Sequence, residues 1–259
     1  MSLSLFHRDL GGSGQPPLIL LHGLLGSSRN WQTAGADLAA RYHVLALDLR
    51  NHGRSPHADD MSYEAMMADV IAWMDERKIA LATVMGHSMG GKVTMLLACR
   101  QPARVKQLIV VDIAPKDYLS AAHRGELAAM NELDLTGLQS RAEAELRFEA
   151  RVPDWGMRKF LTTNLERDPE GGDGWRWVIN LPGLTAALIE LEKSPLTERD
   201  GFAGPTHFIC GGRSRYFEPG DWKKIADHFP AAKLTVIEES GHNPHMETRE
   251  TFVRAVMED

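Results

Sequence analysis

The chain has 259 residues, a length that a single domain can fill with one large core. Hydrophobic residues make up 43% of it and charged residues 25%, which is the balance of a globular protein and excludes a disordered or fibrous chain. The formal net charge of -6, with no basic stripe in the sequence, argues against a nucleic-acid partner.

The cysteines and the N-terminus give expectations about the compartment. Only two cysteines are present, Cys99 and Cys210, so we predict no disulfide framework. Residues 1–12 lack a basic region followed by an apolar stretch, and no run of about 18 apolar residues occurs. We therefore expect a cytoplasmic protein with no membrane partner, and the sequence leaves its oligomeric state open.

Short apolar runs alternate with segments of helical spacing, which predicts a mostly parallel sheet covered by helices on both faces. An antiparallel edge strand is expected near Leu3 to His7. The strand-like runs are Leu18–Leu21, Val44–Leu47, Thr83–Met85, Gln107–Val111, His207–Cys210 and Leu234–Ile237. The predicted covering helices are Trp31–Tyr42, Tyr63–Arg77, Gly91–Gln101, Asp221–His228 and Glu247–Met257.

The alternation of strands and helices is interrupted after Asp112, where roughly 90 residues pass before the next strand-like run, too many for a loop. We predict a helical lid over residues 115–203, inserted into a single domain that spans residues 1–259. Its helices are expected at Gly125–Leu133 and Ala142–Phe148. The turn cluster Gly171–Gly174 and Pro182 are expected to separate them.

The segment Gly86-His87-Ser88-Met89-Gly90 follows a predicted strand and precedes a predicted helix. This is the G-x-S-x-G nucleophile elbow, in which glycines on both sides permit a cramped turn that lifts the serine hydroxyl clear of the sheet. The following helix directs its N-terminal amides toward the same point, where they favour developing negative charge. The sequence therefore predicts Ser88 as a nucleophile rather than part of a purely structural glycine turn.

A second glycine-rich turn, His22-Gly23-Leu24-Leu25-Gly26, follows the first long strand. Two fixed N–H donors stabilise the oxyanion in acyl transfer, each worth on the order of 3 kcal/mol. We assign these donors to the backbone amides of Met89 and Leu24. His22 itself is predicted to be a packed core histidine.

His242 lies in a loop between the last strand and the C-terminal helix. A loop at the carboxyl end of a neighbouring strand can bring a general base within hydrogen-bond reach of Ser88. His242 also comes last in the chain, as the order Ser, acid, His requires. We predict His242 as the base, whereas His245 is expected inside the helix as a structural or surface residue.

These motifs resemble those of the lidded, single-domain esterase branch of the α/β-hydrolase fold family, and the chain is especially similar to YbfF-type bacterial carboxylesterases. The resemblance covers nearly the whole length and is weakest in the lid. It is carried by His22-Gly23, Asp48–Ser55, the elbow, Val111–Pro115 and Ser240-Gly241-His242. It implies an α/β-hydrolase fold with a helical lid inserted after the strand that ends at Asp112.

The acid of the triad departs from the commonest pattern of this family, because Ser214 stands where an aspartate is expected after the post-lid strand. A carboxylate can also reach the base from the end of the strand before the lid, where Asp112 lies, and YbfF-type enzymes are similar in using that position. We predict Asp112, with Asp221 and Glu218 as alternatives. A role for Asp112 in capping the first turn of the lid stays open.

Other residues are candidates by position. Asp48 and Arg50, in the loop beside the site, are expected to be ion-paired scaffold. Arg124 lies early in the lid, where related esterases carry an arginine near the pocket, so we predict it as a substrate-binding residue, with an exposed helix charge as the equal alternative.

Lid aromatics are candidates for an acyl pocket. We assign Trp177 to substrate binding and note Trp175 and Phe160 as further candidates, although such aromatics often only pack the lid. The histidines show no H-E-x-x-H or comparable spacing, so no metal is predicted.

The combined expectation is a carboxylesterase or thioesterase that cleaves short to medium-chain acyl esters through an acyl-enzyme and needs no cofactor. Lactonase, carbon–carbon bond hydrolase and cofactor-free perhydrolase chemistry would use the same serine and stay open. A ligand-binding protein that retains the fold without turnover is the alternative from another class.

Overall fold

The computed structural model describes residues 2–119, 121–168 and 174–258, excluding the side chains of residues 121 and 122. The strands are β1 (His7–Asp9), β2 (Pro17–Leu21), β3 (His43–Leu47), β4 (Ala82–His87), β5 (Val105–Val111), β6 (Leu165–Arg167), β7 (Trp175–Trp177), β8 (Thr206–Gly211) and β9 (Ala232–Ile237). Seven of them form the main sheet in the order β1-β3-β2-β4-β5-β8-β9, and β6 pairs with β7 in a separate ribbon. Within the main sheet β1 is antiparallel to β3 and the other pairs are parallel, as predicted.

The helices are α1 (Gln32–Leu38), α2 (Tyr63–Glu76), α3 (Met89–Arg100), α4 (Ala121–Glu132), α5 (Arg141–Phe148), α6 (Trp155–Thr162), α7 (Leu181–Glu192), α8 (Asp221–His228), α9 (Pro244–Glu247) and α10 (Arg249–Met257). None of those in the described part of the chain is long and apolar enough to cross a membrane.

The main sheet carries apolar packing on both of its faces. Successive strand residues point to opposite sides, so Ile19 and Leu21 join the core cluster that includes α2 and α3, whereas Leu18 and Leu20 join the cluster that includes α1 and α10. Burial on both faces explains why the strands read as continuous apolar runs rather than alternating ones.

Helices α4 to α7 and the β6–β7 ribbon lie between β5 and β8, which are adjacent in the sheet. We call this segment the insertion. Its first two helices lie close to the predicted ones, but α6, α7 and the ribbon were not predicted. Pro182 is the second residue of α7 and does not interrupt a helix, because a proline in the first turn lacks only an N–H that has no partner there. Residues 171–173 of the predicted turn cluster lie outside the described residues.

Outside the insertion, three elements differ from the predictions by more than one or two residues at an end. The edge strand is His7–Asp9, because these residues pair with β3 while Leu3 donates its N–H to the Asp69 carboxylate. Helix α1 stops at Leu38. The predicted C-terminal helix is divided into α9 and α10 at Thr248, whose φ of -132° and ψ of 49° leave the helical region.

Lys92, on α3, connects the main domain to the insertion through hydrogen bonds. Its buried ammonium donates to the main-chain carbonyls of Leu191, Glu192 and Lys193 at 3.1, 3.0 and 2.6 Å. These carbonyls lie at the end of α7, where a helix leaves acceptors unpaired and favours a cation. Burial lowers the pKa of Lys92 to about 7.

We expect Lys92→Met to lower the free energy of unfolding by about 2 kcal/mol at pH 6, where the wild-type ammonium is charged. The variant loses three charge-assisted hydrogen bonds, and removal of the buried charge offsets part of that loss. Lys193→Met is the matched control, because its ammonium is exposed and bonds only Glu190 at 2.7 Å in the described structure. Urea unfolding of both variants checks the expectation, and equal losses would contradict it.

Candidate active site

Ser88 sits in a sharp turn between β4 and α3. Its φ of 50° and ψ of -118° are strained for a residue with a side chain. The turn is tight enough that a Cβ on Gly86 would lie 2.1 Å from the Gly90 carbonyl oxygen. The Ser88 N–H donates to the Val111 carbonyl at 3.0 Å, which ties the turn to β5. The strand–turn–helix context expected for a nucleophile elbow is therefore present.

Asp112 follows β5 directly and is fully buried, with a φ of 52°. Its Oδ2 lies 2.6 Å from His242 Nδ1 and also accepts the Ser214 hydroxyl, while its Oδ1 accepts the Gly211 N–H at 2.9 Å. Ser214, the residue at the commoner acid position, is thus a hydrogen-bond donor to Asp112. Nothing in the arrangement of charged residues along the sequence predicts the hydrogen bond between Ser214 and Asp112.

The alternative acids lie elsewhere. Asp221 and Glu218 both bind the ammonium of Lys116, at 2.7 and 3.3 Å. Asp221 also accepts the Glu218 N–H at 2.9 Å. The structure brings Asp112, and neither alternative, into hydrogen-bond contact with His242.

His242 is fixed from three directions. Its ring stacks on Tyr216 with the centroids 3.8 Å apart, and His87 lies against it at 4.6 Å and donates to its main-chain carbonyl at 2.8 Å. The Glu247 carboxylate accepts the N–H groups of Gly241 and Asn243 at 2.6 and 3.0 Å, which holds the loop. Sequence reasoning missed these supporting residues, because they act through ring stacking and through hydrogen bonds to the main chain, for which the sequence carries no motif.

The turn after β2 lies against the elbow, since a Cβ on Gly23 would be 2.9 Å from His87 Nδ1 and 3.2 Å from Ser88 Cβ. His22 is buried, donates from Nδ1 to its neighbour's carbonyl at 2.8 Å and accepts the Leu49 N–H at 3.0 Å, which fits the predicted packing role. His52 accepts the Leu25 N–H at 3.3 Å. Both imidazoles therefore hold the backbone beside Leu24.

The two predicted oxyanion donors flank Ser88. Met89 is the first residue of α3, so its N–H has no partner inside the helix. Leu24 and Met89 both line a cavity with Ser88. This arrangement is compatible with the assigned donors, whose role stays a prediction.

Buried histidines surround the site in the neutral form. Burial lowers the pKa of His22, and it lowers the pKa of His52 and of His245 to about 3. Burial, followed by the nearby rings of His242 and His245, holds the pKa of His87 well below its ordinary value. The unfolded chain binds these protons near pH 6.5, whereas the folded chain does not, so the free energy of unfolding falls as the pH drops below about 6.5.

His245→Phe tests this pH dependence. His245 stacks on Trp31 with centroids 4.3 Å apart, and its Nδ1 has no hydrogen-bond partner in the described structure. Phenylalanine keeps the stack and cannot be protonated, so between pH 7 and pH 5 the variant is expected to lose about 2 kcal/mol less stability than the wild type. Urea unfolding at both pH values measures the difference, and an identical loss of unfolding free energy in the variant and the wild type would contradict the expectation.

Two cavities meet at Ser88, and Leu24 and His123 also line both. The narrow chamber has a volume of about 30 Å³, and its other lining residues are Tyr63, Met89, Lys92, Ile113, Tyr118, Leu188, Leu191, Glu192 and Tyr216. The wide chamber has a volume of about 330 Å³, and its other lining residues are Gly23, Gly26, Asn30, His87, Glu126, Asp154, Gly156, Met157, Phe160, His242, Asn243, His245, Met246 and Glu247.

The remaining candidates occupy different places. Arg124 forms an ion pair with Glu192, and its side chain is 48% exposed, so the structure supports the exposed-charge alternative over contact with substrate. Trp177 packs near Phe148 at 6.3 Å and lines a separate depression, so the predicted contact with the pocket at Ser88 is absent. Trp175 belongs to a small apolar cluster of the insertion, whereas Phe160 lines the wide chamber.

The loop between β3 and α2 is a buried scaffold, in which Arg50 forms an ion pair and the Asp48 carboxylate accepts main-chain N–H groups. Arg50 pairs with Asp69 through contacts of 2.7 and 2.8 Å. Asp48 accepts the N–H groups of Ser28 and Arg54 at 2.6 and 2.8 Å. Within the described residues, no group of three or more His, Cys, Asp or Glu side chains is arranged to hold a metal.

Comparison with known proteins gives consistent matches. Residues 16–248 match the family model described as the alpha/beta hydrolase fold. The chain is 36% identical to the sn-1-specific diacylglycerol lipase ABHD11 of Mus musculus, over 95% of this chain and 81% of the relative. It is 33% identical to the esterase YbfF of Escherichia coli strain K12, over 93% and 91% of the two chains.

A solved structure agrees with these sequence matches. A marine microorganism esterase superposes with a TM-score of 0.94 at 36% identity and covers 99% of both chains.

Proposed function

The chain belongs to the α/β-hydrolase fold family, and from that premise we propose that it hydrolyses carboxylic esters through an acyl-enzyme on Ser88. The observation that carries the proposal is the 2.6 Å contact between Asp112 Oδ2 and His242 Nδ1 at the cavity that Ser88 lines. Relatives and a structural neighbour named as lipases and esterases support the same reaction class.

In the first half of the reaction, His242 Nε2 removes the Ser88 hydroxyl proton as Ser88 Oγ attacks the ester carbonyl. The Nδ1–H bond to Asp112 fixes the tautomer and stabilises the imidazolium that forms. The amides of Leu24 and Met89 donate to the oxyanion, and the leaving alcohol takes the proton from His242.

In the second half, His242 activates a water molecule that attacks the acyl-enzyme and releases the acid. The hydrogen bonds of Ser214 and Gly211 satisfy the Asp112 carboxylate without neutralising it. The Asp112 carboxylate offsets the charge of the imidazolium. Every group in this cycle is an amino-acid side chain or a main-chain amide, so the reaction needs no cofactor.

Two measurements test the proposal. The wild type is expected to hydrolyse p-nitrophenyl esters over many turnovers, and a fluorophosphonate is expected to modify one residue, which mass spectrometry of peptides identifies as Ser88. Labelling elsewhere would refute the assignment of the nucleophile. Ligand-dependent stabilisation without turnover would favour the binding protein instead.

The finer expectations stay predictions. These are the preference for short to medium acyl chains, the acceptance of either esters or thioesters, and a cytoplasmic location. Lactones and carbon–carbon bond substrates belong in the same assay panel, since Ser88 and His242 would serve those reactions too.

A further inference from the structure

We propose that the acyl chain of the ester enters the narrow chamber and its alcohol the wide chamber, whose acidic lining selects neutral and cationic alcohols over anionic ones. This inference rests on the proposed function, because it assigns two parts of one substrate to the two cavities that meet at Ser88.

The position of the base gives the orientation of the ester. The base must return the Ser88 proton to the leaving oxygen, so the alcohol has to lie on the side of His242. His242 lines the wide chamber, and it is not among the described residues that line the narrow one. The alcohol therefore occupies the wide chamber and the acyl chain the narrow one.

The narrow chamber suits a hydrocarbon because its polar groups already bind the protein. The Lys92 ammonium gives hydrogen bonds to three carbonyls, one of which also accepts the Tyr63 hydroxyl at 2.6 Å. The Tyr118 hydroxyl donates to the Tyr216 carbonyl at 2.7 Å, and Glu192 pairs with Arg124. An acyl chain that enters here meets the side chains of leucine, isoleucine and methionine together with tyrosine rings.

The wide chamber carries acidic groups. Its lining includes the carboxylates of Glu126, Asp154 and Glu247, and no lysine or arginine among the described lining residues. Glu126 bonds His123 Nδ1 at 3.0 Å, whereas Asp154 and Glu247 accept only main-chain N–H groups among the contacts found in the described structure. Hydrogen bonds from neutral amides leave the negative charge of a carboxylate in place.

The cations of the neighbouring helix α6 have other partners and are not among the described residues that line the chamber. Lys159 lies over the Trp155 ring, with its ammonium 4.1 Å from the centroid. Arg158 is buried and donates to the carbonyls of Val152 and Pro153 at 3.1 Å. The wide chamber therefore has an acidic field that favours a cationic alcohol, tolerates a neutral one and opposes the phosphates of coenzyme A.

The first experiment tests the acyl chamber with a matched pair of variants. Leu188 lines the narrow chamber, and Leu184, one turn earlier on α7, is fully buried in the core and lines neither chamber. On p-nitrophenyl esters from acetyl to octanoyl, Leu188→Ala is expected to move the preferred chain about two carbons longer. Leu184→Ala is expected to keep the wild-type preference, although both variants lose core packing.

The same series has a result that would overturn the assignment. Met157 lines the wide chamber. If Met157→Ala lengthens the preferred acyl chain while Leu188→Ala does not, the acyl chain occupies the wide chamber and the proposed orientation is wrong. Ratios of kcat/KM within one variant are compared, so partial unfolding does not affect the comparison.

The second experiment tests charge selection with butyrylcholine and butyryl-coenzyme A. As salt is raised from 20 to 500 mM, kcat/KM is expected to fall for the choline ester and to rise for the coenzyme A ester, each by about threefold or more. Asp154→Asn removes one negative charge from the wide chamber, so it is expected to change kcat/KM for each ester in the same direction as added salt does. Asparagine also caps α6, so the helix should be retained. Asp134→Asn, an exposed carboxylate of the insertion outside both chambers, should leave both rates unchanged.

The outcomes separate this inference from the proposed function. Suppose that the wild type hydrolyses p-nitrophenyl butyrate, but salt and Asp154→Asn change kcat/KM for both charged esters in the same direction. Charge selection by the wide chamber is then wrong, and the proposed esterase activity is retained. If no ester is hydrolysed and no serine is labelled by a fluorophosphonate, the proposed function itself is wrong.

Discussion

Replacing Ser88 with alanine is expected to lower kcat for a p-nitrophenyl ester by about 10⁵- to 10⁶-fold while KM changes little. Alanine removes only the attacking oxygen and keeps the Cβ, so the strained turn between β4 and α3 has the same steric demands. Residual activity would come from the oxyanion donors and binding alone. Steady-state kinetics on purified protein measures the loss.

The control for Ser88→Ala is a second serine beside the same machinery. Ser240 is fully buried two residues before His242, and its hydroxyl donates only to the Gly241 carbonyl, at 3.3 Å, in the described structure. Ser240→Ala should retain activity within about tenfold. Turnover by Ser88→Ala near the wild-type rate would show that another residue is the nucleophile.

Replacing Asp112 with asparagine is expected to lower kcat by about 10³- to 10⁴-fold at neutral pH. The amide cannot offset the imidazolium, and where its NH₂ group faces Nδ1 it favours the wrong tautomer of His242. The asparagine side chain offers one carbonyl oxygen, where the carboxylate offers two, to accept the Gly211 N–H and the Ser214 hydroxyl. The same kinetic assay measures the effect, and circular dichroism checks that the fold persists.

Two further variants make the Asp112 result decisive. Asp221→Asn removes the alternative acid, which binds Lys116, and should leave kcat within about threefold of the wild type. The double variant Asp112→Asn with Ser214→Asp places a carboxylate at the commoner acid position and should recover about tenfold or more of the lost activity. Full activity in Asp112→Asn would remove Asp112 from the mechanism.

The main sheet and the elbow were accessible from the sequence because their signals are local. Apolar runs of strand length predict the parallel strands, and a G-x-S-x-G segment between a strand and a helix predicts the turn at Ser88. The insertion was only partly predictable. Its ribbon and α7 depend on packing against other elements, and short or weakly amphipathic segments carry little periodicity of their own.

The sequence by itself determined the class of protein, the order of Ser88 and His242, and the absence of an aspartate at position 214. Only the tertiary structure decided which carboxylate lies against His242, because Asp112 and His242 are 130 residues apart in the chain and follow β5 and β9, two strands that β8 separates in the sheet. The tertiary structure likewise decided that Arg124 forms an ion pair with Glu192 and that two chambers meet at Ser88. Long-range contacts of this kind depend on how strands and helices pack, which no local pattern of residues encodes.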